Sequence, residues 1–241
     1  MRFSTRITDL LGLELPVIQA PMAGSATPEL AGAVSNAGGL GSLGVAMMSE
    51  TQLREAVAKL RALSNKPFNL NYFVHHEPAL AGFDSGPMRG ALKVFYDELT
   101  LGAVPQPKEG APAFNDEALK LLLDLMPPVV SFHFGLPSVA AMTAIKAKGI
   151  KIIGCATTCA EARTLEHGGV DAIVAQGFEA GGHRGTFLDH VDLGSVGTVA
   201  LVPQVVDMVK VPVIAAGGIG DARGIAAAFM LGADAVQLGT A

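Results

Sequence analysis

Five polar side chains interrupt apolar runs near their C-terminal ends: Gln19, Asn69, His133, Gln176 and Gln237. A buried amide without a partner costs roughly 1–3 kcal/mol. Any one of them alone is therefore read as satisfied by a neighbouring backbone group. Five at corresponding places read instead as the wall of a site for a polar ligand. Amides offer donors and acceptors side by side, which suits the edge of a heterocycle such as the pyrimidine part of a flavin. Glycines add a second theme. Gly217-Gly218-Ile219-Gly220 and Gly239-Thr240 close two further apolar runs, where bare backbone N–H groups either hold a phosphate or make ordinary tight turns. Gly181-Gly182 is another place where backbone could approach an anion. It leads directly into His183, whose imidazole can accept or give a proton near neutral pH, so His183 is the sharpest candidate for chemistry.

Other residues read less sharply. His133, inside Ser131-Phe132-His133-Phe134, fits a core histidine bonded to a carbonyl as well as it fits a contact to substrate. Arg184 reads either as a partner of Glu179 or as a solvated side chain. His75, His76, His167 and His190 carry no spacing argument. Cys155 and Cys159 form a lone C-x-x-x-C without His or Asp at ligand spacing, so ordinary buried thiols and no metal are expected.

The elements that would position these residues follow from periodicity. Short Val/Ile/Leu-rich runs at Pro16-Met22, Leu40-Ala46, Phe68-Val74, Val129-Phe134, Lys151-Thr157, Ala172-Gly177, Pro212-Gly218 and Ala235-Thr240 read as parallel strands buried on both faces. Helical stretches alternate with them: Pro28-Ala37 after a Thr27 cap, Glu50-Leu63, Ser138-Ala147, Ala160-His167, Gly197-Val209 and Ala222-Leu231. Strand starts recur every roughly 21 to 29 residues, the size of one βα unit, which predicts an α/β fold of (β/α)8 TIM-barrel type. Two intervals are longer. About forty residues, 75–115, follow the third strand and read as a lid-like excursion. Phe178-Ser195 follows the sixth and reads as a polar loop at a strand's C-terminal end, where barrels carry function. The chain is expected to be a single domain over 1–241. It looks truncated after the eighth strand, with that strand's outer face lacking a covering helix.

Composition narrows the class. In 241 residues, 50% are hydrophobic and 16% charged, with a mean hydropathy of +0.42, which excludes a disordered chain and a coiled coil. Gly, Pro, Gln or a charge breaks every long apolar run, so no membrane helix is expected, and a cytoplasmic protein is the default. A net charge of −5 with 17 scattered basic residues argues against nucleic-acid and membrane partners and leaves small-molecule chemistry. Gly39-Leu40-Gly41-Ser42-Leu43-Gly44 matches the dinucleotide fingerprint, but it follows a helix instead of a strand. The expected role of these glycines is to end that helix and permit close strand packing.

Taken together, Gln19-Ala20-Pro21-Met22, Ser35-Asn36-Ala37-Gly38-Gly39-Leu40-Gly41, Lys66-Pro67-Phe68-Asn69, Ser131-Phe132-His133-Phe134-Gly135, Cys155-Ala156-Thr157-Thr158, Gln176 through Gly185, Ala215-Ala216-Gly217-Gly218-Ile219 and Gln237-Leu238-Gly239-Thr240-Ala241 resemble the bacterial class I nitronate monooxygenases, formerly 2-nitropropane dioxygenases. The Glu-Ala-Gly-Gly-His-Arg-Gly stretch is the most specific part. The resemblance implies a barrel with non-covalent FMN and His183 as the catalytic residue. It places FMN contacts at Met22, Asn69, Gln176, Gly181, Gly218, Gln237, Gly239 and Thr240. The activity implied is oxidation of alkyl nitronates, propionate 3-nitronate first among them, with O2 to a carbonyl compound and nitrite. Two alternatives stand beside it: an FMN-dependent NAD(P)H:quinone or enoyl-thioester reductase, and a catalytically incompetent barrel that only binds FMN or phosphate.

Overall fold

The computed structural model describes residues 3–75, 84–107, 110, 112–188 and 194–240. Its strands are β1 (Val17–Gln19), β2 (Gly41–Gly44), β3 (Phe68–Phe73), β4 (Val129–His133), β5 (Lys151–Ala156), β6 (Ala172–Gln176), β7 (Val213–Ala216) and β8 (Ala235–Leu238). All neighbours pair in parallel in the order β1-β8-β7-β6-β5-β4-β3-β2. The ring closes between its ends, where Leu40 N–H donates to Val17 O at 3.0 Å and Gln19 N–H donates to Leu40 O at 2.9 Å. The fold is a (β/α)8 barrel.

Each predicted strand is found, but shorter at its C-terminal end. Apolar periodicity continues past the ladder into residues such as Pro21 and Met22, which follow the strand and line the barrel mouth. The expected helices are α2 (Pro28–Asn36), α3 (Glu50–Leu63), α6 (Val139–Ala147), α7 (Cys159–His167), α8 (Thr198–Met208) and α9 (Ala222–Met230). Thr27 caps α2 by accepting from Leu30 N–H. The close packing expected of the glycine motif is also there. A Cβ on Gly41 would lie 2.0 Å from the Ala31 carbonyl oxygen of α2, so only glycine lets this strand and helix approach so closely.

Three helices went unread in the sequence. α1 (Arg6–Leu11) precedes the barrel; α4 (Gly86–Glu98) lies in the excursion; and α5 (Asp116–Leu125) is the crossover helix after β3. The excursion returns where Phe114 N–H donates to Phe73 O at 2.8 Å and the Phe114 ring packs edge-on against Tyr72 and Phe132. α4 buries no residue and gives none to the cavity described below. Residues 76–83, 108–109 and 111 of the expected lid, with His76, lie outside the described residues, as does His190.

Two apolar cores follow from the period of two. Outward residues such as Leu43, Leu70, Val130, Ile152, Ile173 and Val213 pack against the helices. Inward residues Ile18, Leu40, Val129, Ala172, Ile214 and Ala235 pack with Ile7 and Leu11 of α1, so α1 plugs the N-terminal end of the barrel. On β8, Val236 is buried and Leu238 half-buried, so the outer face of that strand is less bare than its sequence suggested. Among the described residues no helix is long and apolar enough to cross a membrane.

Candidate active site

With the N-terminal end filled, the barrel opens at its C-terminal end. A cavity of about 550 Å³ lies there, the size of a small-molecule site. It is built from the last inward residues of the strands and from the loops that follow them, as in barrel enzymes generally.

Beneath its floor lies a layer of polar groups bonded to one another. Gln19 Nε2 donates to Ser42 O at 3.0 Å, and Ser42 N–H returns a bond to Gln19 Oε1 at 3.3 Å. Asn69 Nδ2 donates to Ser131 Oγ at 2.9 Å and to Ser42 Oγ at 3.2 Å. Gln19 and Asn69 are thus held locally and neither lines the cavity. Inward residues recur every second position, and Asn71, one step nearer the mouth than Asn69, reaches the lining. Asn71 Nδ2 donates to Ser131 Oγ at 3.0 Å. The same alternation could have pointed to Asn71 and Ser131, which share their strands with Asn69 and His133. Asn69 Oδ1 is buried with no partner among the described residues.

The other expected residues converge. Met22, Gln176, Gly181, Gly218, Gln237, Gly239 and Thr240 line the cavity, and so do both His133 and His183. His183 is exposed at the rim, its ring edge-on to Phe73 at 5.2 Å and to Phe134 at 5.9 Å between centroids. Phe134 itself has a φ of +68°, a strained conformation for a bulky residue and one found most often at functional sites. His133 bonds the His183 carbonyl through Nε2 at 3.2 Å, and the residue also lines the cavity. Since a carbonyl only accepts, Nε2 carries the proton. Burial lowers the His133 pKa below the ordinary imidazole value.

The opposite wall is backbone. Gly217 and Gly218 have φ of +116° and +69°, and a Cβ on Gly217 would lie 2.8 Å from Thr198 Oγ1 and 2.9 Å from Ala180 N. Together with Gly239 and Thr240 they form a rim free of bulky side chains, able to admit an anionic group to backbone distance.

Charged groups brace the β6–α8 loop without pairing in the expected way. Arg184 neither bridges Glu179 nor stands in solvent; its guanidinium donates to the Gln176 and Gly194 carbonyls. Burial pulls its pKa down against the pull of nearby Cys155, Glu161 and Glu179. Glu179 Oε2 instead accepts from Thr198 N–H at 2.8 Å at the start of α8. Burial works to raise that carboxyl, but hydrogen bonds from its own backbone and from Thr198 win and hold its pKa low. The Cys155 thiol, part of the cavity lining, is pushed up to about 12 by burial and by the Glu161 charge. Both cysteines are free thiols.

The family model described as nitronate monooxygenase matches residues 4–241. The chain belongs to the nitronate monooxygenase family. A nitronate monooxygenase of Paraburkholderia phytofirmans is 47% identical over 236 residues, covering 96% of this chain and 64% of the relative. One of Pseudomonas aeruginosa is 44% identical, covering 98% of this chain and 68% of the relative. Among solved structures, nitroalkane oxidase from Streptomyces ansochromogenes superposes with a TM-score of 0.87 at 39% identity, covering 98% of this chain and 67% of that one. FabK from Thermotoga maritima superposes with a TM-score of 0.74 at 36% identity, covering 99% of this chain and 62% of that one. The chain spans about two thirds of the length of these relatives. Within the nitronate monooxygenase family match fall all eight strands and every residue of the cavity named above.

Proposed function

We propose that the chain forms the FMN-holding barrel of an enzyme that oxidises alkyl nitronates with O2 to a carbonyl compound and nitrite, propionate 3-nitronate being the expected substrate. The observation that carries this reading is convergence: His183 on its glycine loop and the glycine rim of β7 and β8 border one cavity. The residues suit FMN. Gly217, Gly218, Gly239 and Thr240 offer backbone to a phosphate. Asn71 and Gln237 offer amides to the polar edge of a ring system. When bound, FMN supplies the electron-accepting and oxygen-reducing chemistry, while the protein supplies orientation and electrostatics.

His183 acts at the rim. It either donates a hydrogen bond to an oxygen of the nitronate or takes the α-proton of a neutral nitroalkane. Phe73 and Phe134, edge-on to its ring, restrict the plane in which it can do so.

The test begins with an absorption spectrum of the purified protein and oxygen uptake on adding propionate 3-nitronate; a flavin spectrum and oxygen consumption are expected. His183→Asn should keep the flavin and lose about 100-fold in turnover of neutral nitroalkanes. Unchanged kinetics would remove His183 from the reaction. Gly218→Val should empty the protein of flavin, and full flavin content would count against the rim as the phosphate seat. Rapid anaerobic bleaching of the flavin by NADH, without nitronate turnover, would replace the reading with a hydride-transfer reductase.

A further inference from the structure

His183 lies in a stretch after β6 that forms neither helix nor strand, so no regular ladder sets where its imidazole stands. Its position is set by side chains of the barrel wall. Gln176 Nε2, at the end of β6, donates to the His183 carbonyl at 3.0 Å, and His133 Nε2, at the end of β4, donates to the same oxygen at 3.2 Å. Two residues on, Gly185 N–H donates to Gln176 Oε1 at 2.7 Å. One amide group thus gives one bond and takes another across residues 183–185, the exchange by which a neighbouring strand holds a residue pair. The carbonyl has two lone pairs and both are engaged, by donors from two different strands.

We infer that Gln176 and His133 are positioning residues: by clamping the His183 carbonyl from β6 and β4 they hold the His183 imidazole at the rim of the cavity. This rests on the reading of His183 as the group that meets substrate. Two of the four hydrogen-bonding positions of Gln176 are spent on His183 and Gly185.

A double-mutant cycle in the flavin-loaded protein tests the clamp. Gln176→Leu and His133→Phe, neither able to donate, should each lower kcat/KM for nitronate, measured per bound flavin, at least tenfold. His133→Gln, which keeps a donor, should recover most of the loss. In a His183→Asn background the same two substitutions should change kcat/KM less than twofold, because what they position is already gone. Equal losses in both backgrounds would overturn the inference. NMR of the His183 ring gives a readout that does not depend on turnover. Its chemical shifts should move in Gln176→Leu and in His133→Phe and return in His133→Gln. An unmoved ring would overturn the clamp even if nitronate oxidation stands, and a moved ring would support it even if the wild type proves to oxidise no nitronate.

Discussion

Burial keeps the His133 ring neutral, and that neutrality has a consequence in acid. Its folded-state pKa is depressed below the ordinary value, so the unfolded chain binds the extra proton first as pH falls. Stability is therefore undiminished above about pH 6.5, the ordinary imidazole value, and declines as pH drops through it, levelling off only below the folded-state pKa. Urea titrations from pH 7.5 to 5 should show the wild type losing more stability than His133→Gln; parallel profiles would mean that His133 protonates as readily in the folded chain. At this scale the sequence was informative where a lone polar residue interrupts an apolar run, as with Gln176 and Gln237. It was less so where two polar residues share one face. Asn69 and Asn71 face the same interior, and nothing local distinguishes the one that is locked beneath the floor from the one that meets the cavity. Arg184 was illegible for another reason: its partners are carbonyls, which leave no mark in side-chain types.

Among the elements, the β6–α8 loop depends on a helix that it does not touch in sequence. Glu161, in the first turn of α7, is fully buried. Its carboxylate accepts from Thr157 N–H and hydroxyl at 2.7 Å, then from Phe187 N–H at 2.6 Å and Leu188 N–H at 3.2 Å. Glu161→Ala strands three backbone donors, at about 1 kcal/mol or more each, so a loss of about 3 kcal/mol in urea-measured stability is expected. Proteolytic cleavage within the loop should rise with it, and a loop as resistant as the wild type would show that Glu161 only caps its own helix. Such a bracket cannot be read from a chain, because its two sides lie 26 and 27 residues apart. The existence and order of strands were legible, since eight β-branched runs at βα spacing leave few other folds. Their ends were not: a residue lining an apolar mouth and a residue in a buried ladder follow the same hydrophobic pattern.

For the molecule as a whole, α1 decides which end of the barrel is usable. Six residues are too few for a helical period to stand out in sequence, which is why α1 went unread. Its attachment has two parts of unequal weight. Arg6 reaches Asp234 with Nε at 2.8 Å and a terminal nitrogen at 2.7 Å, but its side chain is 50% exposed, which limits the pair to under about 1 kcal/mol. Ile7 is wholly buried among the inward residues of the strands, so Ile7→Ala should cost about 2–4 kcal/mol and Arg6→Met less than about 1. Equilibrium unfolding of the two variants checks the ranking; the reverse order would mean that the ion pair, and not the plug, fastens the helix. Because that plug shuts one end, the barrel formed by the described residues is a well that fills from its C-terminal mouth. A molecule that settles deep in it should enter before one that settles at the rim, so binding beside His183 is expected to slow the escape of whatever lies below.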